Sequence, residues 1–318
     1  FPEGGDIIVP PLTWVSDISS VIQNGYKPVF ADINLKNLCM NEDDIFSLIN
    51  SKTKAVFITY AQGFNGLSDK LLKYLKKRSI PLIEDVCESH GAKFKNKKLG
   101  SYGLMSNFSF YYAHHMSTIE GGMICTNSEK IYQMLRMLRA HGMVRESNNQ
   151  TLRKKYKNEY PELNEKFIFA FPSYNMRNNE IGAIIGINQL KNLNKNIRIR
   201  NYNHKLFLNN LDQEKYFTDF DLSGSSNYAF NLILRKDKVH LVEKLIKIME
   251  KNKIEFRRGS AGGGNQLRQP YLLKYAKNKR YLAYKKTEHI HFYGFYIGNY
   301  PSLSPKKILK LCNILNSI

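Results

Sequence analysis

The chain has 318 residues, of which 42% are hydrophobic and 24% charged, values of a globular protein with one large domain or two ordinary ones. Its net charge of +21 is spread along the sequence, with short basic clusters at Lys76-Lys77-Arg78 and Lys154-Lys155-Tyr156-Lys157. That spread fits solvated surface or attraction of an anionic small substrate better than a nucleic-acid groove, so nucleic acid is not expected as a partner. No apolar run approaches the ~20 residues that cross a bilayer, and no basic-then-apolar leader is present. Cys39, Cys87, Cys125 and Cys312 are too dispersed for a zinc ribbon or a local iron–sulfur motif. A reducing compartment, the cytoplasm, is therefore expected, without membrane attachment.

Short apolar runs alternate with amphipathic stretches through the first half. Asp6 to Pro10 reads as a strand and Ser16 to Gln23 as the helix after it. Lys27 to Asp32 is a second strand, Asn41 to Asn50 a second helix, and Ala55 to Thr59 a third strand. Ser68 is a cap for a helix whose Leu71, Leu72 and Leu75 share a face, and Pro81 to Asp85 is a fourth strand ending on two carboxylates. Further strands are expected at Asn107 to Tyr112 and Gly122 to Thr126, with a helix from Glu129 to Ala140. Val144 to Phe167 is polar, basic and rich in tyrosine, an excursion over the surface. Asn179 to Leu193 is a helix with Ile181, Ile184, Ile185 and Leu193 on its apolar side. In the second half, Tyr228 to Leu234, Ile254 to Phe256 and His291 to Ile297 read as strands, and Val239 to Lys251 and Ser304 to Leu315 as helices. A glycine-rich loop runs from Gly259 to Asn265. The reading is α/β: a mainly parallel sheet in an α/β/α sandwich over 1–195, then a smaller α+β domain over 196–318. Ligands of such sheets sit beyond the carboxyl ends of the strands, where Asp85 falls.

Taken singly, these features are weak. Asp85 is a ligand or a helix cap, and the Gly262-Gly263-Gly264 run, lacking GxGxxG and Walker patterns, is a turn. The pair His114-His115 invites a metal, but no HExxH motif or His/Cys cluster accompanies it, and none is assigned. In order along the chain they say more. Glu84-Asp85-Val86-Cys87-Glu88-Ser89-His90-Gly91-Ala92, Ser109-Phe110 and Glu120-Gly121-Gly122 resemble the DegT-type sugar aminotransferases, fold-type-I enzymes dependent on pyridoxal 5'-phosphate (PLP). So do Gly5 to Pro10, Thr13-Trp14-Val15-Ser16, Pro28 to Asp32 and Tyr174-Asn175-Met176-Arg177, so that the resemblance covers essentially the whole chain.

The resemblance implies an aspartate aminotransferase-like fold and a cofactor site. It puts Asp85 on the pyridine nitrogen, where a carboxylate keeps the ring protonated. Trp14 falls where an aromatic stacks on the ring, its alternative being a core tryptophan. Ser109 falls at the cofactor phosphate, and Asn175 at a position supplied to that phosphate by a neighbouring subunit, which implies a homodimer. Glu88 stands where many relatives have Gln, near the ring oxygen. At the position of the family's cofactor-binding lysine the chain has His114. Imidazole cannot make the lysine's covalent link but can move protons near neutrality.

This substitution resembles the family's 3-dehydratase branch of deoxysugar and lipopolysaccharide O-antigen biosynthesis. It implies that glutamate converts PLP to pyridoxamine 5'-phosphate (PMP), and that His114 serves as acid/base while the C3 hydroxyl of a nucleotide-linked 4-keto-6-deoxyhexose is lost. An aminotransferase making an amino sugar and an inactive binding scaffold are the alternatives. His115 is placed with the substrate. In Phe256-Arg257-Arg258 through Gly264-Asn265-Gln266-Leu267-Arg268-Gln269-Pro270, Arg268 and then Arg258 are expected to contact the diphosphate, a fork of donors suiting that anion. A surface role is the alternative for Arg268. The chain opens inside the expected fold, so a preceding segment with a phosphate-gripping loop is expected to be missing.

Overall fold

The apolar runs of the first half become the inner strands of a parallel sheet in the computed structural model, which describes residues 4–275 and 277–318. The strands are β1 (Asp6–Val9), β2 (Lys27–Phe30), β3 (Thr53–Thr59) and β4 (Leu82–Asp85), a small hairpin of β5 (Lys93–Phe94) and β6 (Lys97–Lys98), then β7 (Met105–Ser109) and β8 (Gly122–Thr126). The six-stranded sheet has the order β2-β1-β3-β4-β7-β8, with only β8 antiparallel to its neighbour. Side chains alternate between its two faces. Ile8, Val56, Ile58 and Leu82 enter one core, while Ile7, Val9, Ala55, Phe57 and Ile83 enter the other. Both faces are covered, which is why these strands read as unbroken apolar runs.

Helices α1 (Val15–Gln23), α2 (Glu42–Leu48), α3 (Asp69–Lys77) and α4 (Glu129–Leu138) alternate with the strands. Asn41, Ser68 and Ser128 cap α2, α3 and α4 by accepting from backbone N–H groups in their first turns. Alternation also separates the two carboxylates at the end of β4. Fully buried Glu84 accepts from Tyr60 Oη and from the N–H groups of Gly100, Tyr102 and Gly103, pinning that loop. Asp85 faces the other way. The strand order reverses between β1 and β3, and at this switch point the exits of β1, β3 and β4 bring Thr13, Thr59 and Asp85 together.

The remaining elements are α5 (Gln150–Glu159), α6 (Glu180–Asn210), β9 (Ala229–Ile233), α7 (Val242–Lys251), β10 (Phe256–Arg258), α8 (Lys285–Tyr293), β11 (Gly294–Gly298) and α9 (Pro305–Asn316). The last three strands form an antiparallel sheet in the order β10-β11-β9. Several expectations change. The expected surface excursion contains helix α5, none of whose residues is buried. The helix expected to end at Leu193 runs to Asn210, 31 residues in all, so position 195 lies inside α6. The strand expected from His291 starts at Gly294, because Lys285–Tyr293 is a helix whose mixed polar sequence lacked an apolar period. The strand expected at Asn107 to Tyr112 ends at Ser109, where the chain turns with His114 N–H donating to Tyr111 O. The short strand expected at Ile254 to Phe256 lies at Phe256–Arg258.

The apolar side expected on α6 is exposed over its first half. Ile181, Ile184, Ile187 and Leu190 are all exposed, whereas Leu193 is buried. Phe167, Phe169, Tyr174 and Met176 are further large exposed apolar residues. Single exposed apolar residues are ordinary, but a helix stripe of this extent goes uncovered within one chain.

Candidate active site

His114 lines a cavity of about 910 Å³ together with Tyr112, Arg200, Tyr228, Arg257 and Tyr296. The turn after β7 presents it, and residues of β9, β10 and β11 close over it. That closure needs Gly63: its left-handed backbone (φ 84°) lets Ser226 N–H donate to Gly63 O at 2.8 Å, where a Cβ would lie 1.8 Å from Ser226 O. Tyr228 N–H then donates to Gln62 O, which fixes Tyr228 beside His114 at 5.5 Å between ring centroids.

The imidazole of His114 is held neutral. Burial first, then the Arg200 cation, lower it to about 4. Its Nδ1 is buried and has no partner. His90, also buried, lies 5.9 Å away and is lowered to about 3 by burial and then by His114. Arg200 itself is 7% exposed; its Nη1 donates to Tyr228 O and Asn299 O, and its Nε has no partner. A neutral imidazole beside a buried cation is able to accept a proton at neutral pH.

Asp85 ends β4, buried, and its Oδ1 accepts from Cys87 N–H at 2.9 Å and Asn107 Nδ2 at 3.0 Å. Glu88, one turn on, accepts from Gln62 N–H at 2.8 Å, and burial pushes its carboxyl up to about 7. It feels the charges of both Asp85 and Arg257. Trp14, 57% exposed, precedes α1 with its ring open to a ligand rather than sunk in the core. Ser109 Oγ, half-buried, accepts from Tyr111 N–H at 3.3 Å. These residues fit a pyridoxal cofactor: a carboxylate held by two donors, an open aromatic face, a hydroxyl at the strand end and an orphaned buried imidazole nitrogen. Asn175 is exposed, beyond α4, in a bridge with Ala140.

Three expected substrate contacts have other neighbours in the fold. His115 is buried, and its Nε2 is engaged by the carbonyl and hydroxyl of Ser226, so it does not line the cavity. Arg268 spends its fork on Glu288, at 2.8 and 2.6 Å, and its guanidinium lies over Tyr281 and Phe292. Alternation along β10 turns Arg258 to the other face, where it donates to Phe292 O, and gives the cavity Arg257 instead. The glycine-rich loop is a turn, as expected. It packs on the backbone after β1, where a Cβ at Gly262 would lie 2.0 Å from Thr13 O. Sequence reasoning also missed Arg200 and Asp17. Arg200 sits in a helix that carries several basic residues, and no local pattern marks it.

Among the described residues no group of His, Cys, Asp or Glu could hold a metal ion, and no helix is long and apolar enough to cross a membrane.

The model of the DegT/DnrJ/EryC1/StrS aminotransferase family matches residues 2–316. GDP-4-keto-6-deoxy-D-mannose 3-dehydratase of Escherichia coli O55:H7 is 32% identical over 94% of this chain and 76% of its own. The enzyme of that name from Yersinia pseudotuberculosis is 33% identical over 99% of this chain and 80% of its own. A solved structure of GDP-4-keto-6-deoxymannose-3-dehydratase with a trapped PLP–glutamate geminal diamine superposes with a TM-score of 0.87 at 31% identity, covering 99% of this chain and 81% of the other. The fold is accordingly the fold-type-I architecture that the motifs implied.

Proposed function

This chain belongs to the DegT/DnrJ/EryC1/StrS aminotransferase family, and from that premise we propose that it is a PLP/PMP-dependent nucleotide-sugar 3-dehydratase. It removes the C3 hydroxyl of a nucleotide-linked 4-keto-6-deoxyhexose with glutamate as amine donor. The observation that carries this reading is His114, a neutral buried imidazole in the cavity at the position of the family's lysine. The relatives whose names specify 3-dehydration of a GDP-linked sugar support it.

When bound, the cofactor supplies an amine and an electron sink. Asp85 would hold a proton at the ring nitrogen, and Trp14 offers an open aromatic face to the ring. Ser109 would donate to the phosphate, with Asn175 of a second copy; the exposed stripe on α6 supports such a dimer. His114 accepts a proton at an imidazole nitrogen and returns it to the departing C3 oxygen. With no amine at position 114 to displace product, release is by water; the two electrons for deoxygenation come from glutamate, which leaves as 2-oxoglutarate, and the other products are a 3-deoxy-4-keto sugar and ammonia. Arg257, whose nearest partner is the Tyr296 hydroxyl, takes the place of Arg258 and Arg268 as the cation for the anionic substrate.

The test is product analysis by mass after incubation with PLP, glutamate and GDP- or CDP-linked 4-keto-6-deoxy sugars. Loss of the C3 oxygen with release of ammonia is expected. Nitrogen retained in the product would establish an aminotransferase, and no cofactor spectral change with glutamate would establish a scaffold. Arg257→Ala is expected to raise KM for the nucleotide sugar roughly 10- to 100-fold, the loss of one charge-assisted contact. Arg268→Ala should leave KM unchanged and lower the urea midpoint, since it strands Glu288. The opposite pattern would return the substrate contact to Arg268.

A further inference from the structure

Behind Asp85 lies a second buried carboxyl. Asp17, in the first turn of α1 and 4% exposed, accepts from Thr59, which is the cross-strand partner of Asp85 where β3 and β4 end. Its Oδ2 accepts from Thr13 Oγ1 at 2.5 Å and from Thr59 Oγ1 at 2.8 Å, and the two hydroxyls are 2.7 Å apart. One oxygen of Asp17 is thus occupied by hydroxyl donors. Among the described residues no Lys, Arg or His pairs with either carboxyl. The other titratable groups facing them are the Cys87 thiol, beside Asp85, and the Tyr271 phenol. Both are pushed up, so neither supplies a counter-charge. The amino end of α1 favours an anion, but by an amount too small to desolvate two. Two adjacent buried carboxyls without a cation cannot both ionise.

We propose that Asp17 and Asp85 share one proton carried by Asp17, which acts as a neutral donor to Asp85 and sets how strongly Asp85 holds the proton of the cofactor's ring nitrogen. Burial and the charge of Asp85 push the Asp17 carboxyl well above the ordinary carboxylate range, in keeping with this arrangement. Asp17 is a positioning residue: it acts through Asp85. Its action on the ring rests on the cofactor reading above; the shared proton does not.

The proton is tested first without cofactor. A carboxyl raised in the fold contributes stability that is complete below its unfolded value of about 4 and is lost as pH rises through the folded value. The urea midpoint of D17N relative to wild type is therefore expected to climb between about pH 5 and about pH 8. A difference that stays constant across that range overturns the proposal. Should D17N fail to fold, D85N answers the same question, because removing the partner anion should flatten the wild-type slope. With labelled PLP bound, the nitrogen NMR shift reports ring protonation. D17A is expected to raise the pH at which the ring nitrogen loses its proton by about one unit or more, whereas D17N, which still donates, stays near wild type. If both variants lower it, Asp17 is a second anion and the proposal falls. A failure to bind PLP at all would sink the cofactor reading and leave the apoprotein result to decide the shared proton.

Discussion

Replacing His114 with Asn is expected to lower the rate of C3-hydroxyl loss roughly 10²- to 10⁴-fold, the usual contribution of one general acid–base group, with little change in KM. The side chain keeps its volume and polarity but cannot accept a proton, so the loss falls on kcat. His114→Lys makes the complementary case. It should tether PLP covalently, seen as a shift in cofactor absorbance, and abolish dehydration; dehydration retained in that variant would remove His114 from its role. The pH dependence has a definite sign. His114, held at about 4, is ready to accept a proton above that value, lower than the ~6.5 of a free imidazole. His90 and His204 are also kept neutral by burial, each at about 3. Stability from these groups is complete above about pH 6.5 and is lost as pH falls through their folded values. Wild type should therefore lose urea resistance more steeply than His114→Asn between about pH 6.5 and about pH 4.

Asp85→Asn is expected to cost on the order of 10²- to 10⁴-fold in activity, from the roughly 3–5 kcal/mol lost when one partner of a buried charge pair is removed. The amide keeps an acceptor for Cys87 N–H and Asn107 Nδ2, so the end of β4 should stay in place and the circular dichroism spectrum should be unchanged. PLP affinity should fall and the ring nitrogen should lose its proton at lower pH. Unchanged activity in that variant would mean that Asp85 does not serve the ring, and the cofactor would need another orientation. Glu84 offers the contrast: it carries the same charge one residue earlier, yet its substitution should damage stability, because four donors depend on it.

The parallel sheet was legible because its strands are buried on both faces, which leaves unbroken apolar runs that need no partner to be read. The cap of α3 was legible for the same reason: Ser68 acts on an N–H group three residues away. Helix α8 was not, since Thr287 and Ile290 are its only buried residues and its stability is tertiary. Nor was the cover of α6 legible, because periodicity states that a face is apolar without stating what covers it.

For the site, the sequence by itself determined the motif order and the imidazole at His114, since both are matters of residue type at a fixed place along the chain. Tertiary structure decided which neighbours surround those residues. It selected Arg257 over Arg258 by the facing of one strand, spent Arg268 on Glu288, buried His115 against Ser226, and set Asp17 beside Asp85. Each of these depends on how separate elements pack and in what register. Local sequence sets periodicity and caps over a few residues, whereas the meeting of Asp17 with Asp85, or of Arg268 with Glu288, is fixed only when the whole core closes.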